Sequence, residues 1–172
     1  MDDVHLLSLF TKVMMETGAG EYDSAAFSRR IGIHTGEIGV SLLNTTVYPD
    51  EAAQDVAMNG KNLVTKPVIK GKATSDNINE LFSLFQLILT DARFDSQSKV
   101  IELLKESRSR LESSVQGSGH SIASTRMKAR YRVGGYIDEI ISGISYLDTV
   151  KALLQQAEED WPSLLSRLKN MR

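Results

Sequence analysis

Apolar residues open the chain at helical spacing. Leu6, Leu9, Phe10, Val13 and Met14 fall at offsets of 0, 3, 4, 7 and 8, which places all five on one face of a helix over Asp3 to Thr17. Gly18 and Gly20 predict its end. Asp23 stands where an N-cap carboxylate belongs, ahead of a second, shorter helix in which Phe27 and Ile31 share a face. Gly32 is expected to supply the left-handed residue that closes it.

The period then falls to two. Ile38, Val40 and Leu42 alternate with small and polar residues, and the β-branched run Thr45, Thr46, Val47 ends at Pro49, which reads as a strand. Asp55 to Met58 and Val64 to Ala73 read as two more extended pieces, with turns at Asn59-Gly60 and around Gly71. Such short connections suit an antiparallel meander.

From Thr74 onward the pattern is helical. Ile78, Leu81, Phe82, Phe85 and Leu89 form one stripe, and Val100, Leu103, Leu104, Leu111 and Val115 form the next, with Asp95 placed to cap that second helix. Gly117-Ser118-Gly119 interrupts. Further helical pieces follow at Ile122 to Val133, Tyr136 to Ile141 and Tyr146 to Ala157, divided by Gly134-Gly135 and by Gly143. Asp160 caps a last helix, with Pro162 tolerated in its first turn. The class is α+β: a small antiparallel sheet with helices mainly on one face. Three short strands leave an open edge and a thinly covered face, so flanking strands are expected from elsewhere.

Composition narrows the function. The 172 residues fit one domain with its own core, and no internal repeat or linker divides them. No stretch approaches the roughly 18 to 20 apolar residues of a bilayer span, and a net charge of -2 gives no field for nucleic acid or an anionic membrane. With no cysteine there is no disulfide, thiolate nucleophile or thiolate zinc site. No leader pattern precedes the first helix.

His34-Thr35-Gly36-Glu37-Ile38 invites comparison with zinc peptidase motifs, which need two histidines and a glutamate on one helical face. Here Ile38 replaces the second histidine, and Gly32, Gly36 and Gly39 argue for a turn into a strand. His5 and His120 are isolated. Gly117-Ser118-Gly119-His120-Ser121 has the composition of an anion-binding nest but also of a plain helix break, and it lacks a nucleophile elbow. Arg126, Lys128, Arg130 and Arg132, with Tyr131, form the most basic stretch; spaced by two on a helix they splay into a solvated face with local ion pairs. Glu158-Glu159-Asp160 reads as a helix end and an N-cap. No catalytic, cofactor-binding or metal-ligating residue is assigned to this chain.

The segment from Lys105 to Arg126, KESRSRLESSVQGSGHSIASTR, followed by Gly134-Gly135-Tyr136 and by Ser142-Gly143-Ile144-Ser145-Tyr146-Leu147, resembles presequence proteases, which are pitrilysin-like zinc metallopeptidases. The resemblance extends to Gly71-Lys72, to Glu80–Leu89, to Thr35-Gly36-Glu37-Ile38, to the opening LLSLFTKVMMETGAG and to Glu158-Glu159-Asp160-Trp161, and is weakest from Pro49 to Lys66. It implies four related α+β domains around a chamber in which unfolded peptides are cut, with zinc and the catalytic glutamate in the first domain. This chain resembles the third, so residues 1–172 are expected to form one noncatalytic domain of a larger protein, with no zinc or other cofactor of its own. Its expected partners are the parent's other domains and, in the intact protein, unfolded peptides, but not nucleic acid or membrane. The implied location is a mitochondrion or plastid. Two alternatives stand beside this: a noncatalytic structural relative, such as a processing-peptidase or respiratory-complex core-type subunit, and a stand-alone binding module.

Overall fold

The opening stripe is buried as its spacing predicts. In a computed structural model that describes residues 3–46 and 63–171, a 3-10 turn at Val4–Leu6 runs into helix α1, Leu7–Glu16. Leu6, Leu9, Phe10, Val13 and Met14 are each at most 5% exposed. Each such side chain taken from water contributes on the order of 1.5 to 3 kcal/mol, so this stripe anchors the core. Gly18 and Gly20 end the helix in the left-handed region, with φ of 95° and 56°. Their backbone ties the loop to the far end of α3, Ile78–Asp91: the Gly20 N–H donates to Asp91 O at 2.8 Å, and the Arg93 N–H to Gly18 O at 2.9 Å.

Helix α2, Ser24–His34, is capped by Asp23, whose carboxylate accepts from the Ala26 N–H at 2.7 Å. Gly32 does not close it. The helix runs through Gly32 to His34 and stops at Thr35, which turns extended and places its hydroxyl on Ile31 O at 2.7 Å. An exposed glycine weakens a helix without breaking it.

Strands β1, Glu37–Thr46, and β2, Leu63–Lys72, form an antiparallel pair running from Glu37 opposite Lys72 to Thr46 opposite Leu63. Ile38 is buried and Val40 packs on the core, while Ser41, Leu43 and Thr45 are exposed, as the alternation requires. The extended piece at Asp55 to Met58, the Asn59-Gly60 turn, Val47 and Pro49 lie outside the described residues. The turn expected around Gly71 is replaced by strand, with Gly71 opposite Ile38. Glycine is needed there for another reason: a Cβ would stand 2.7 Å from Leu81 Cδ1 and 2.9 Å from the Phe85 ring, where α3 crosses the strand.

The stripe on α3 is rotated from the expected one. Leu81, Leu84 and Ile88 are buried, whereas Ile78, Phe82 and Leu89 are 44%, 63% and 53% exposed. This helix is apolar on two neighbouring faces, and periodicity alone does not tell which of them meets the core. Helix α4, Gln97–Gly117, starts after Ser96 rather than Asp95. Asp95 pairs with Arg93 at 2.9 Å instead, a charged partner two residues back that outcompetes the helix N–H groups. Val100, Leu103 and Leu104 are buried as expected, but Val115 is exposed.

Ser118 alone separates α4 from α5, Gly119–Tyr131, and Arg132 alone separates α5 from α6, Val133–Ser142. Gly134 and Gly135 therefore lie inside α6 and do not divide helices. Gly135 marks a close crossing: a Cβ there would stand 2.6 Å from Lys128 O on α5. Gly143 does end α6, and Asp160 does cap α8, Trp161–Asn170, after α7, Tyr146–Glu159; its carboxylate accepts from the Ser163 N–H at 3.4 Å. One cluster built from α1, α2, α3, α4, α7 and α8, with Ile38 from β1, forms the core, with Phe10 and Phe94 stacked at 5.5 Å. The fold is α+β, as expected.

Candidate functional site

The three histidines are carried by separate elements. His34 ends α2, and Glu37 opens β1 and pairs with Lys72 across the hairpin at 3.1 Å. His5 lies near the N-terminus, its Nε2 3.3 Å from Arg167 Nη2, and the same guanidinium holds Asp3 at 2.7 Å. His120 sits in the first turn of α5 and is exposed. Among the described residues, no three His, Cys, Asp or Glu side chains converge to hold a metal, so no catalytic step is derived through one. No described helix is long and apolar enough to cross a membrane. Glu158 pairs with Lys105 at 3.6 Å, and Asp160 serves as the N-cap, so the acidic run has the structural role read from its sequence.

The Gly117–Ser121 block is a tight corner between helices. The Ser121 and Ile122 N–H groups donate to Ser118 O at 3.0 and 3.1 Å, which continues helical bonding across the break.

Arg126, Lys128, Arg130 and Arg132 are all exposed, as a solvated face requires, and two of them also border a groove. Arg126 and Arg130, one turn apart on α5, line a groove of about 680 Å³ together with Met127, Tyr131 and, across from them on α6, Tyr136. Met127, Tyr131 and Tyr136 are 62%, 67% and 55% exposed. The expected ion pairing is thin: Arg126 approaches Glu139 at 4.0 Å, and Lys128, Arg130 and Arg132 enter no ion pair among the described residues.

Glu139, on the inner wall of this groove, was not legible in the sequence. It is 5% exposed, and its Oε1 accepts from the Ser145 N–H at 3.1 Å and from the Ser145 hydroxyl at 2.7 Å. Glu139 thereby ties α6 to Ser145, the residue that precedes α7, while the Tyr146 and Leu147 N–H groups donate to Gly143 O and Ile144 O. A carboxylate near a helix start is also favoured by the helix dipole. Gly143 passes beneath it, where a Cβ would meet Oε2. The Gly143-Ile144-Ser145-Tyr146 corner is thus a unit in which a glycine, a serine and a distant glutamate fix the angle between α6 and α7.

A second polar pair is set into the core. Lys12 donates to Ser107 Oγ at 2.6 Å, and Ser107 donates to Leu103 O at 2.6 Å. Burial, followed by the nearby Arg110 charge, pulls the Lys12 ammonium below its ordinary range. Ser107 is 6% exposed and its hydroxyl proton is held by Leu103 O, so the pair serves as a packing feature.

Residues 1–153 match the family described as peptidase M-16C associated. The chain belongs to that family. Presequence protease 1, chloroplastic/mitochondrial, of Arabidopsis thaliana is 30% identical over 168 residues, covering 97% of this chain and 14% of the relative. Protein HypA of Clostridium perfringens is 28% identical over 99% of the chain and 16% of the relative, and the mitochondrial presequence protease of Danio rerio is 26% identical over 95% and 15%. The chain therefore spans about a seventh of the length of these curated relatives. The family match includes α1 to α6, the Glu139–Ser145 corner and the first half of α7.

Proposed function

We propose that this chain is a noncatalytic domain of a zinc metalloendopeptidase that degrades presequences and other short unfolded peptides, and that it forms part of the wall of the degradation chamber. The family membership and the presequence protease relatives support a peptidase parent. The observation that carries the wall reading is the second apolar face of α3. Ile78, Phe82 and Leu89 form a row of large apolar side chains on the outside of the chain, with Phe82 edge-on to Phe85 at 6.2 Å. A contiguous apolar row of this kind marks a surface that packs against another body of protein. Zinc and its catalytic glutamate belong, on this proposal, to the first domain of the parent, and the compartment follows the eukaryotic relatives to a mitochondrion or plastid.

The test is turnover of a quenched unstructured peptide, with zinc analysis of the same chelator-free preparation, by this chain and by the full-length polypeptide that carries it. Zinc-dependent turnover is expected of the full-length protein, and neither turnover nor zinc of the chain alone. Chelator-sensitive turnover by the chain, with about one zinc per molecule, would return His34 and Glu37 to consideration as a real site. The wall reading has its own arm: Phe82→Asp is expected to leave the chain's stability unchanged and to lower the thermal stability of the full-length protein.

A further inference from the structure

Helix α5 is the anomaly of this fold. It has thirteen residues, Gly119–Tyr131, and none is buried, although α1, with ten, buries five. A helix of this length is marginal in water, and packing of an apolar face normally decides whether it forms. Its support within the chain comes mainly from α6, through the close crossing at Gly135 and Lys128. Beside that crossing α5 carries Met127 and Tyr131, exposed and one turn apart, next to Arg126 and Arg130, also one turn apart. Tyr136 completes the groove from α6.

The charge is equally one-sided. From Ser113 to Ile137 the sequence contains Arg126, Lys128, Arg130 and Arg132 and no Asp or Glu. The carboxylate in the groove, Glu139, is buried and committed through Oε1 to Ser145. The same Oε1 lies 4.0 Å from Arg126 Nε, and among the described residues Oε2, buried above Gly143, has no hydrogen-bond partner. Glu139 therefore neutralises part of the Arg126 charge and leaves Arg130 as the groove's guanidinium without an ion pair among the described residues. Arginine with exposed tyrosine and methionine is the composition of a binding surface, where flat aromatic rings supply contact area at low entropic cost and guanidinium groups pair with carboxylates.

We infer that the α5–α6 groove is a docking site for an acidic polypeptide segment with interspersed apolar side chains, its carboxylates pairing with Arg126 and Arg130 and its apolar groups lying on Met127, Tyr131 and Tyr136. Charge complementarity selects this occupant. A basic segment is repelled, and a purely apolar one leaves Arg130 facing it without a partner. Nucleic acid fits less well, because the basic stretch is confined to one helix of a chain whose net charge is -2. This inference stands apart from the chamber-wall reading, since the groove is on α5 and α6 rather than on α3.

Fluorescence anisotropy tests it, using a labelled twelve-residue peptide of alternating Glu, Leu and Tyr. The comparison probes are a charge-reversed peptide with Lys for Glu and a single-stranded oligonucleotide of matched charge. The acidic peptide is expected to bind the chain and to weaken with added salt, and Arg130→Glu to reduce the affinity by about tenfold or more. Tyr136→Ser is expected to weaken binding without changing the salt dependence. Both residues are exposed, so urea unfolding of the two variants is expected to match the parent chain. Amide exchange supplies a second readout: α5 is expected to gain protection when the peptide is bound. Absence of binding, equal binding of the oligonucleotide or of the Lys peptide, or binding indifferent to Arg130→Glu each overturns the inference.

Discussion

Gly143 lies directly beneath the carboxylate of Glu139, so closely that a methyl group on Gly143 would overlap Oε2 and stand 2.6 Å from the carboxyl carbon. The contact explains why this corner contains glycine although its φ of -78° is open to any residue. Gly143→Ala has to push Glu139 off Ser145 or bend the end of α6, and overpacking of this kind costs about 1 to 3 kcal/mol. Urea unfolding of the single and double variants checks the cause. On a Glu139→Ala background the glycine substitution is expected to cost less, because the carboxylate it strikes is gone while the contact with the main-chain Glu139 O, 2.7 Å from the added Cβ, remains. Strictly additive losses would assign the role of Gly143 to the backbone instead.

Gly18 and Gly32 are expected to respond to alanine with opposite signs. At Gly18, φ is 95° and a Cβ would strike Tyr22 O and lie 2.8 Å from the Asp23 carbonyl carbon, so Gly18→Ala combines a strained backbone with a main-chain clash. Its cost is expected to exceed about 2 kcal/mol. At Gly32, inside α2, nothing lies within 4 Å of the added methyl. There Gly32→Ala is expected to stabilise by about 0.5 to 1 kcal/mol through helix propensity. Melting temperatures of the two variants, measured side by side, settle both.

The difference between these glycines also shows what the sequence discloses. A glycine announces that something requires the absence of a side chain, but not whether that is a turn, a crossing or nothing. Gly18 and Gly20 were turns as expected. Gly71 and Gly135 let α3 and α6 pass close to β2 and α5, contacts between residues far apart or on different helices. Periodicity located almost every helix, yet on α3 it could not choose between two apolar faces, because that choice depends on where α1 and β2 already stand. The groove was half legible. The basic run was visible in the sequence, but its juxtaposition with Tyr136 and the burial of Glu139 arise only once α6 folds back over α5.

Asn44 pins the hairpin to the helical layer. Its amide donates to Gly134 O at 2.7 Å and to Asp138 Oδ1 at 2.9 Å, and its oxygen accepts from the Thr65 hydroxyl at 3.3 Å. One side chain thereby joins β1, β2 and the start of α6. Asn44→Ala is expected to cost about 1 to 2 kcal/mol, in line with the loss of two or three partly shielded hydrogen bonds. Local readout separates this from general weakening: amide exchange is expected to accelerate most in β1, β2 and the first turn of α6, with α7 and α8 little changed.

Tyr146 gives the fold a defined alkaline limit. It is 4% exposed at the start of α7, and burial pushes its phenol up to about 12 from an ordinary value of 10.0, a hydrogen bond with Ser8 acting weakly the other way. Between those values the unfolded chain releases the proton while the folded chain keeps it, so stability falls as pH rises through that window, and nothing is lost below it. Two pH units correspond to about 2 to 3 kcal/mol. Lys12 works against this at the lower edge. Its ammonium titrates below the ordinary 10.5 when folded, so the unfolded chain binds more protons there and stability rises with pH until that value is passed. Urea midpoints measured from about pH 9 to 12 are expected to rise slightly and then fall steeply in the parent chain. Lys12→Met is expected to remove the rise. Tyr146→Phe, at a neutral-pH cost of about 1 kcal/mol for the lost hydrogen bond, is expected to flatten the fall. An unchanged alkaline slope in Tyr146→Phe would mean that other groups set this limit.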